Sequence, residues 1–222
     1  MAKNYFTEAE VISMAKDSYD DIACFQISAS DSALLVIDMQ DEFVKPNWTP
    51  YWVPEATRQV PKIAKLIEFC RQKGIPVIYT AFADTYKNLD RPKQGNSMPN
   101  RYKNKVAEPD PAWFLEGNMW HELKPAENEI VILKPSYGAF YDTPLETILK
   151  NLKKDTVIVC GTLTNFCCST TARQAYERGF KVVFGSDINS ADDPIMHEVE
   201  LKVLRKGFAR VLSCKEIIEE LK

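Results

Sequence analysis

Six short apolar runs recur along the chain and restrict its fold more than any other feature. They are ALLVID (Ala33–Asp38), PVIYTAF (Pro76–Phe82), EIVIL (Glu129–Leu133), TVIVCG (Thr156–Gly161), KVVFGS (Lys181–Ser186) and FARVLS (Phe208–Ser213). Most are continuously apolar and rich in Val and Ile, the pattern of parallel strands buried on both faces. Helical periodicity fills the gaps. Glu55–Lys73 spaces Val60, Ile63, Ala64, Ile67 and Cys70 by threes and fours and ends at Gly74, a C-cap residue. Thr143–Leu152, with Pro144 expected at its first position, Phe166–Arg178 and Asp193–Lys206 read the same way. Alternating strands and helices predict an α/β fold: three α-β-α layers around a six-stranded, mainly parallel open sheet of Rossmann-like topology.

With 222 residues the chain supports one such domain over 1–222. Two parts fall outside the pattern: an amphipathic helical extension in residues 1–30, and a long aperiodic loop, 83–118, expected to be a lid or interface element. A net charge of −3 gives no electrostatic reason to bind nucleic acid or an anionic membrane. No apolar run approaches the ~18–20 residues that span a bilayer, and the first residues lack a signal-peptide core. Six cysteines without disulfide-framework spacing fit a reducing compartment, so a cytoplasmic protein with free thiols is expected. Only two histidines are present, His121 and His197, which removes most zinc patterns and most Cys–His or Ser–His pairs. No strand is followed by G-x-G-x-x-G, which disfavours a dinucleotide binder.

Open α/β sheets bind ligands beyond the carboxyl ends of their strands. Asp38 ends the first strand in LLVIDMQDEF and Lys134 follows the third in VILKPSYGAF. Each alone reads equally as a solvated strand end or as half of a structural ion pair. The fourth strand leads into GTLTNFCC. Thr164 or Asn165 as N-cap would put Cys167 in the first helical turn, where the macrodipole lowers a thiol pKa. Cys168 shares an apolar stripe with Ala172, Ala175, Tyr176 and Gly179, and Cys160 reads as strand core. Cys167 lies on the face of Thr170, Thr171 and Gln174, and reads either as a buried filler or as a nucleophile.

Taken in series, LLVIDMQDEF, KPSYGAF with TPLETIL, and GTLTNFCCSTTARQAYERGF resemble the isochorismatase-like cysteine hydrolases, over roughly residues 30–215. That family includes nicotinamidases, N-carbamoylsarcosine amidohydrolase, and ureidoacrylate and biuret hydrolases. The resemblance implies Cys167 as nucleophile, Asp38 as general base and Lys134 as third catalytic member. It also implies a cis peptide at Thr162–Leu163 and an oxyanion hole from the N–H groups of Leu163 and Cys167. Cleavage of a C–N bond in a small amide or ureide through a thioester would follow, in a homodimer or homotetramer with no cofactor. Residues flanking the motifs, Gln40, Phe43, Trp48, Trp52, Tyr137, Phe140, Asn165 and Phe166, become the substrate-binding candidates. The segment after Asp38 lacks the D-x-H metal motif of nicotinamidases, so no metal is expected. A metal-dependent nicotinamidase-like amidase and a non-catalytic binding protein of this fold are the alternatives.

Overall fold

The computed structural model describes residues 25–92 and 112–222, together with residues 7, 9, 10 and 110. Most of the expected N-terminal helix and the centre of the 83–118 loop lie outside the described residues. Six strands form one parallel sheet: β1 (Ser32–Ile37), β2 (Val77–Phe82), β3 (Ile130–Lys134), β4 (Thr156–Thr162), β5 (Lys181–Ser190) and β6 (Arg210–Leu212). Their order is β3-β2-β1-β4-β5-β6, and every pairing is parallel. The chain winds outward from β1 to β3, then returns to place β4 beside β1. The strand order therefore reverses between β1 and β4, where the carboxyl ends open a crevice.

Among the described residues the helices are α1 (Asp41–Val44), α2 (Pro54–Gln72), α3 (Leu145–Asn151), α4 (Ser169–Glu177), α5 (Pro194–Gly207) and α6 (Cys214–Glu220). Leu34 and Val36 of β1 point to a core with Val60, Ile63, Leu66 and Ile67 of α2 and Ile217 of α6. Ala33, Leu35 and Ile37 point the other way, to Leu145 and Leu149 of α3, Cys168 and Ala172 of α4, and Leu201 and Leu204 of α5. The period of two thus buries both faces of β1, which explains its unbroken apolar sequence.

Several boundaries differ from the sequence expectation. Pro144 is the N-cap of α3, not its first residue. β5 runs four residues past Ser186, its polar tail held by Asn189, whose amide donates to the carbonyls of Val159 (2.8 Å) and Gly185 (2.7 Å). The helix expected from Phe166 begins with a π-helical turn, Thr164–Cys168, before α4. The sequence reading also omitted α6, although its start is a capping box in which Ser213 and Glu216 satisfy each other's backbone N–H groups.

Gly161 sets how closely β4 approaches β1. It lies opposite Ile37 with φ +127°, and a Cβ there would strike the Ile37 backbone. Only glycine permits both the dihedral and the approach. The chain can then pass from β4 into the Cys167 turn directly beside Asp38.

Candidate active site

Asp38 leaves the sheet at φ +49°, a left-handed conformation that Asp tolerates better than most residues. Its N–H still bonds the Thr80 carbonyl (3.1 Å), and the Thr80 hydroxyl donates to Asp38 Oδ1 at 2.7 Å. Lys134 Nζ sits 2.7 Å from Asp38 Oδ2, with both side chains fully buried. The ammonium also donates to the Ser136 carbonyl at 2.8 Å and lies 5.3 Å from the Phe82 ring centroid. Burial by itself lowers the Lys134 pKa, but the Asp38 carboxylate and the Cys167 sulfur outweigh it, and the net direction is upward. Lys134 is therefore a held cation.

Cys167 completes the cluster, its buried side chain close enough to Asp38 and Lys134 for both to act on the thiol. Its environment differs from the sequence expectation. Neither Thr164 nor Asn165 caps the turn; Leu163 is the N-cap residue. Burial pushes the Cys167 thiol up to about 12, against the opposing pull of Lys134. Desolvation exceeds any gain from the helix end, and the resting group is a neutral thiol. A nucleophile here needs a local base, and Asp38 is the adjacent carboxylate. Among the described cysteines, Cys70, Cys160, Cys168 and Cys214 are free and buried; Cys160 contacts the Leu35 carbonyl and Cys214 that of Lys62.

The Thr162–Leu163 peptide preceding the turn is cis. Thr164 bonds His197 across 2.8 Å (Oγ1 to Nδ1), while His197 Nε2 lies 3.1 Å from the Ser186 carbonyl. A carbonyl only accepts, so Nε2 carries a proton, and in the neutral ring Nδ1 accepts from the Thr164 hydroxyl. On the far side of the cysteine, the Thr171 hydroxyl donates to the Cys167 carbonyl (2.7 Å) and accepts the Ala139 N–H (3.0 Å). Gln174 Oε1 accepts the Phe140 N–H at 3.1 Å. The loop after Lys134 is thereby fastened to the helix after Cys167. Thr171→Val keeps the shape and removes both bonds, so kcat should fall about tenfold with less change in KM, and stability by ~1–2 kcal/mol. Steady-state kinetics beside a denaturant titration check this; an unchanged kcat would reduce Thr171 to packing.

The substrate-binding candidates separate by position. Gln40 is fully buried and exchanges two hydrogen bonds with the Phe82 backbone (2.8 and 3.0 Å), acting as a sheet extension. Phe43 is core, 5.3 Å from Phe114. Phe140 is core beside Phe180, and Trp52 donates to Thr57 at the start of α2. Trp48 lies at the surface under Lys45. Gln40, Phe43, Phe140 and Trp52 are thus held by the scaffold, and Trp48 is exposed. Asn165 and Phe166 lie in the cysteine turn and Tyr137 beside it: Tyr137 is half exposed and packs at a tilt against Phe166, centroids 5.4 Å apart, and Asn165 Oδ1 is buried with no hydrogen-bond partner among the described residues.

Sequence reasoning missed Thr80, the Phe82–Phe114 contact (5.5 Å) and Arg91, whose guanidinium covers Phe82 at 4.6 Å. Thr80 had a signal, a hydroxyl inside the apolar VIYTAF. Phe114 had none, because it reaches the site from the 83–118 loop. Its N–H bonds the buried Glu42 carboxylate (2.8 Å), a group that burial pushes up in pKa against the pull of that N–H.

Two open cavities, of about 370 and 430 Å³, lie elsewhere, beside Trp120 and beside Arg71. Neither is lined by Cys167, Asp38 or Lys134, so the chemistry and not the hollows marks the site. Among the described residues no group of three or more His, Cys, Asp or Glu side chains is placed to hold a metal, so they do not fit a nicotinamidase-type metal. No helix among them is long and apolar enough to cross a membrane.

A family model described as the isochorismatase domain matches residues 32–216. The chain belongs to the isochorismatase family. It is 31% identical over 199 residues to the uncharacterized isochorismatase family protein YecD of Escherichia coli O157:H7, covering 88% of this chain and 99% of that one. It is 28% identical over 189 residues to the N-carbamoylsarcosine amidase of an Arthrobacter species, covering 85% and 70% of the two chains. The structure of a cysteine hydrolase from Pseudomonas syringae pv. phaseolicola 1448A superposes with a TM-score of 0.78 at 28% identity, over 90% of this chain and 97% of that one. The isochorismatase-like fold expected from the sequence agrees with the parallel sheet and its strand order.

Proposed function

We propose that this isochorismatase-family protein is an amidohydrolase that cleaves a C–N bond in a small amide, carbamoyl or ureido compound through a thioester on Cys167. The observation that carries the reading is the buried cluster in which the Asp38–Lys134 pair acts on the Cys167 thiol. Similarity to an N-carbamoylsarcosine amidase supports the substrate class.

In this mechanism Asp38 removes the Cys167 proton as the sulfur attacks the substrate carbonyl carbon. The N–H groups of Leu163 and Cys167 hold the oxyanion. The C–N bond breaks, and the proton on Asp38 passes to the departing nitrogen, which leaves as ammonia or an amine. Water then gives a proton to Asp38 and attacks the thioester; the acid departs, and the sulfur recovers its proton. Lys134 stays charged throughout and offsets the negative charge that moves between Asp38, sulfur and substrate. The unpartnered Asn165 Oδ1 supplies an acceptor for a substrate N–H, a group that amides and ureides carry.

The experiment is a panel of small amides, carbamoyl amino acids, biuret and maleamate scored by ammonia release, with the acyl-enzyme trapped by acid quench and mapped by mass spectrometry. A mass adduct on the Cys167 peptide is expected for any substrate that turns over. With the best substrate, Asn165→Leu should raise KM roughly tenfold while kcat moves less. Turnover without a Cys167 adduct, and undiminished in Cys167→Ala, would end the proposal. On this reading its partners are a small-molecule substrate and further copies of the chain in a homo-oligomer.

A further inference from the structure

His197, one of the chain's two histidines, is not a member of the Asp38–Lys134–Cys167 cluster, yet it bonds the turn that carries Cys167. That turn has little else to fix its start. Its N-cap residue, Leu163, makes no side-chain cap, and the Leu163 carbonyl takes both the Phe166 and the Cys168 N–H, each at 3.1 Å. Thr164, the first residue of the turn, is fully buried, and its hydroxyl bonds His197 Nδ1 at 2.8 Å. A hydroxyl so buried costs free energy unless it is paired.

The histidine is itself held on two sides. The ladder between β4 and β5 jumps from Val159 opposite Phe184 to Gly161 opposite Asn189, so Ser186 lies in the bulge, and its carbonyl is 3.1 Å from His197 Nε2. Helix α5 starts from a closed cap: the Asp193 carboxylate accepts the Ile195 N–H (2.8 Å) and the Asp193 carbonyl accepts the His197 N–H (3.0 Å). Backbone and both ring nitrogens of His197 are therefore fixed.

We propose that His197 is a positioning residue for the oxyanion hole. Through the Thr164 hydroxyl it ties the cysteine turn to the frame made by α5 and the β5 bulge, and so keeps the N–H groups of Leu163 and Cys167 aimed at the developing oxyanion. This role rests on the thioester reading of the site. Thr164 adjoins Leu163 and stands three residues before Cys167, so a shift of its position reaches both donors. Displacement by ~1 Å in such a site costs up to about 10²-fold in rate. It acts in the transition state, where the charge on oxygen develops, so the loss falls on kcat and spares KM.

The test compares His197 variants on the best substrate of the panel, with circular dichroism reporting the fold. The amide of Asn ends where Nδ1 stands and that of Gln where Nε2 stands. His197→Asn therefore keeps the Thr164 bond, His197→Gln keeps the Ser186 bond, and His197→Leu keeps neither. His197→Leu should lose about 30–100-fold in kcat with KM changed less than about threefold. His197→Asn should return to within about fivefold of the wild type, and His197→Gln should not. Thr164→Val should match His197→Leu, and the two together should cost no more than either alone. Alkylation of Cys167 by iodoacetamide, which displaces iodide and forms no oxyanion, should keep its wild-type rate throughout. A wild-type kcat in His197→Leu, a fall in alkylation equal to the fall in kcat, equal recovery by Gln and Asn, or additive losses in the double variant would each overturn the proposal. So would failure of His197→Asn to fold, which would make the residue structural. Failure of the thioester reading is distinct, since it would show in the wild type as turnover without a Cys167 adduct.

Discussion

Lys134→Met should lower the unfolding free energy by about 3–5 kcal/mol, the largest stability loss expected from a single site residue. Lys134 and Asp38 are both fully buried, 2.7 Å apart. Removing the ammonium leaves a carboxylate without its counter-charge in a low-dielectric interior, with the Thr80 hydroxyl still donating to it. The companion variant makes the result specific. Lys134→Met combined with Asp38→Asn removes the orphaned charge and keeps a residue that tolerates φ +49°. Most of the lost stability should return, while turnover stays absent. Urea titrations of the two proteins decide the matter. A double variant no more stable than Lys134→Met would mean that the lysine stem, and not the ion pair, carried the effect.

Cys167→Ala should reduce turnover by at least ~10⁴-fold, the scale seen when one member of a nucleophile–base unit is removed. Stability should respond differently. The thiol's pKa is raised to about 12 in the folded protein by burial, against an ordinary unfolded value near ~8.5. A raised pKa means that the neutral form is the one folding favours. That contribution is complete below about pH 8.5 and is lost as pH rises towards 12, because the unfolded chain releases its proton first. Cys167→Ala should therefore unfold less steeply with rising pH than the wild type, by about one proton's worth of slope, and be little changed at neutral pH. Parallel slopes would place the Cys167 thiol in a more solvated setting than its contacts imply.

The sheet was readable from sequence because burial on both faces leaves unbroken apolar runs in β1, β2 and β4. Its polar continuation in β5 was not, since Asn189 is held by partners contributed from β4 and from its own strand. Asp38, Lys134 and Cys167 could be singled out by place, as polar or nucleophilic groups at strand ends. Their ionisation could not, because it depends on depth of burial, which local spacing does not encode. The helix-end argument for Cys167 gave the opposite direction for that reason. The substrate-flanking residues divided along the same line. Gln40 and Phe140 are near in sequence to the motifs, but the side chains turn into the scaffold, whereas Thr80 and Phe114 arrive from distant segments.

The position of β3 has a consequence for how the enzyme fails. Lys134 is supplied by the outermost strand, which pairs with β2 alone among the described residues, and Ile130, Val131 and Leu133 are 36–45% exposed along it. Asp38 and the cysteine turn hang from β1 and β4 in the middle of the sheet. Partial melting that peels away the edge would withdraw the cation while the rest of the barrier to unfolding still stands. Inactivation should thus precede global denaturation, and the fragile component of the machine is the strand, not the cysteine turn.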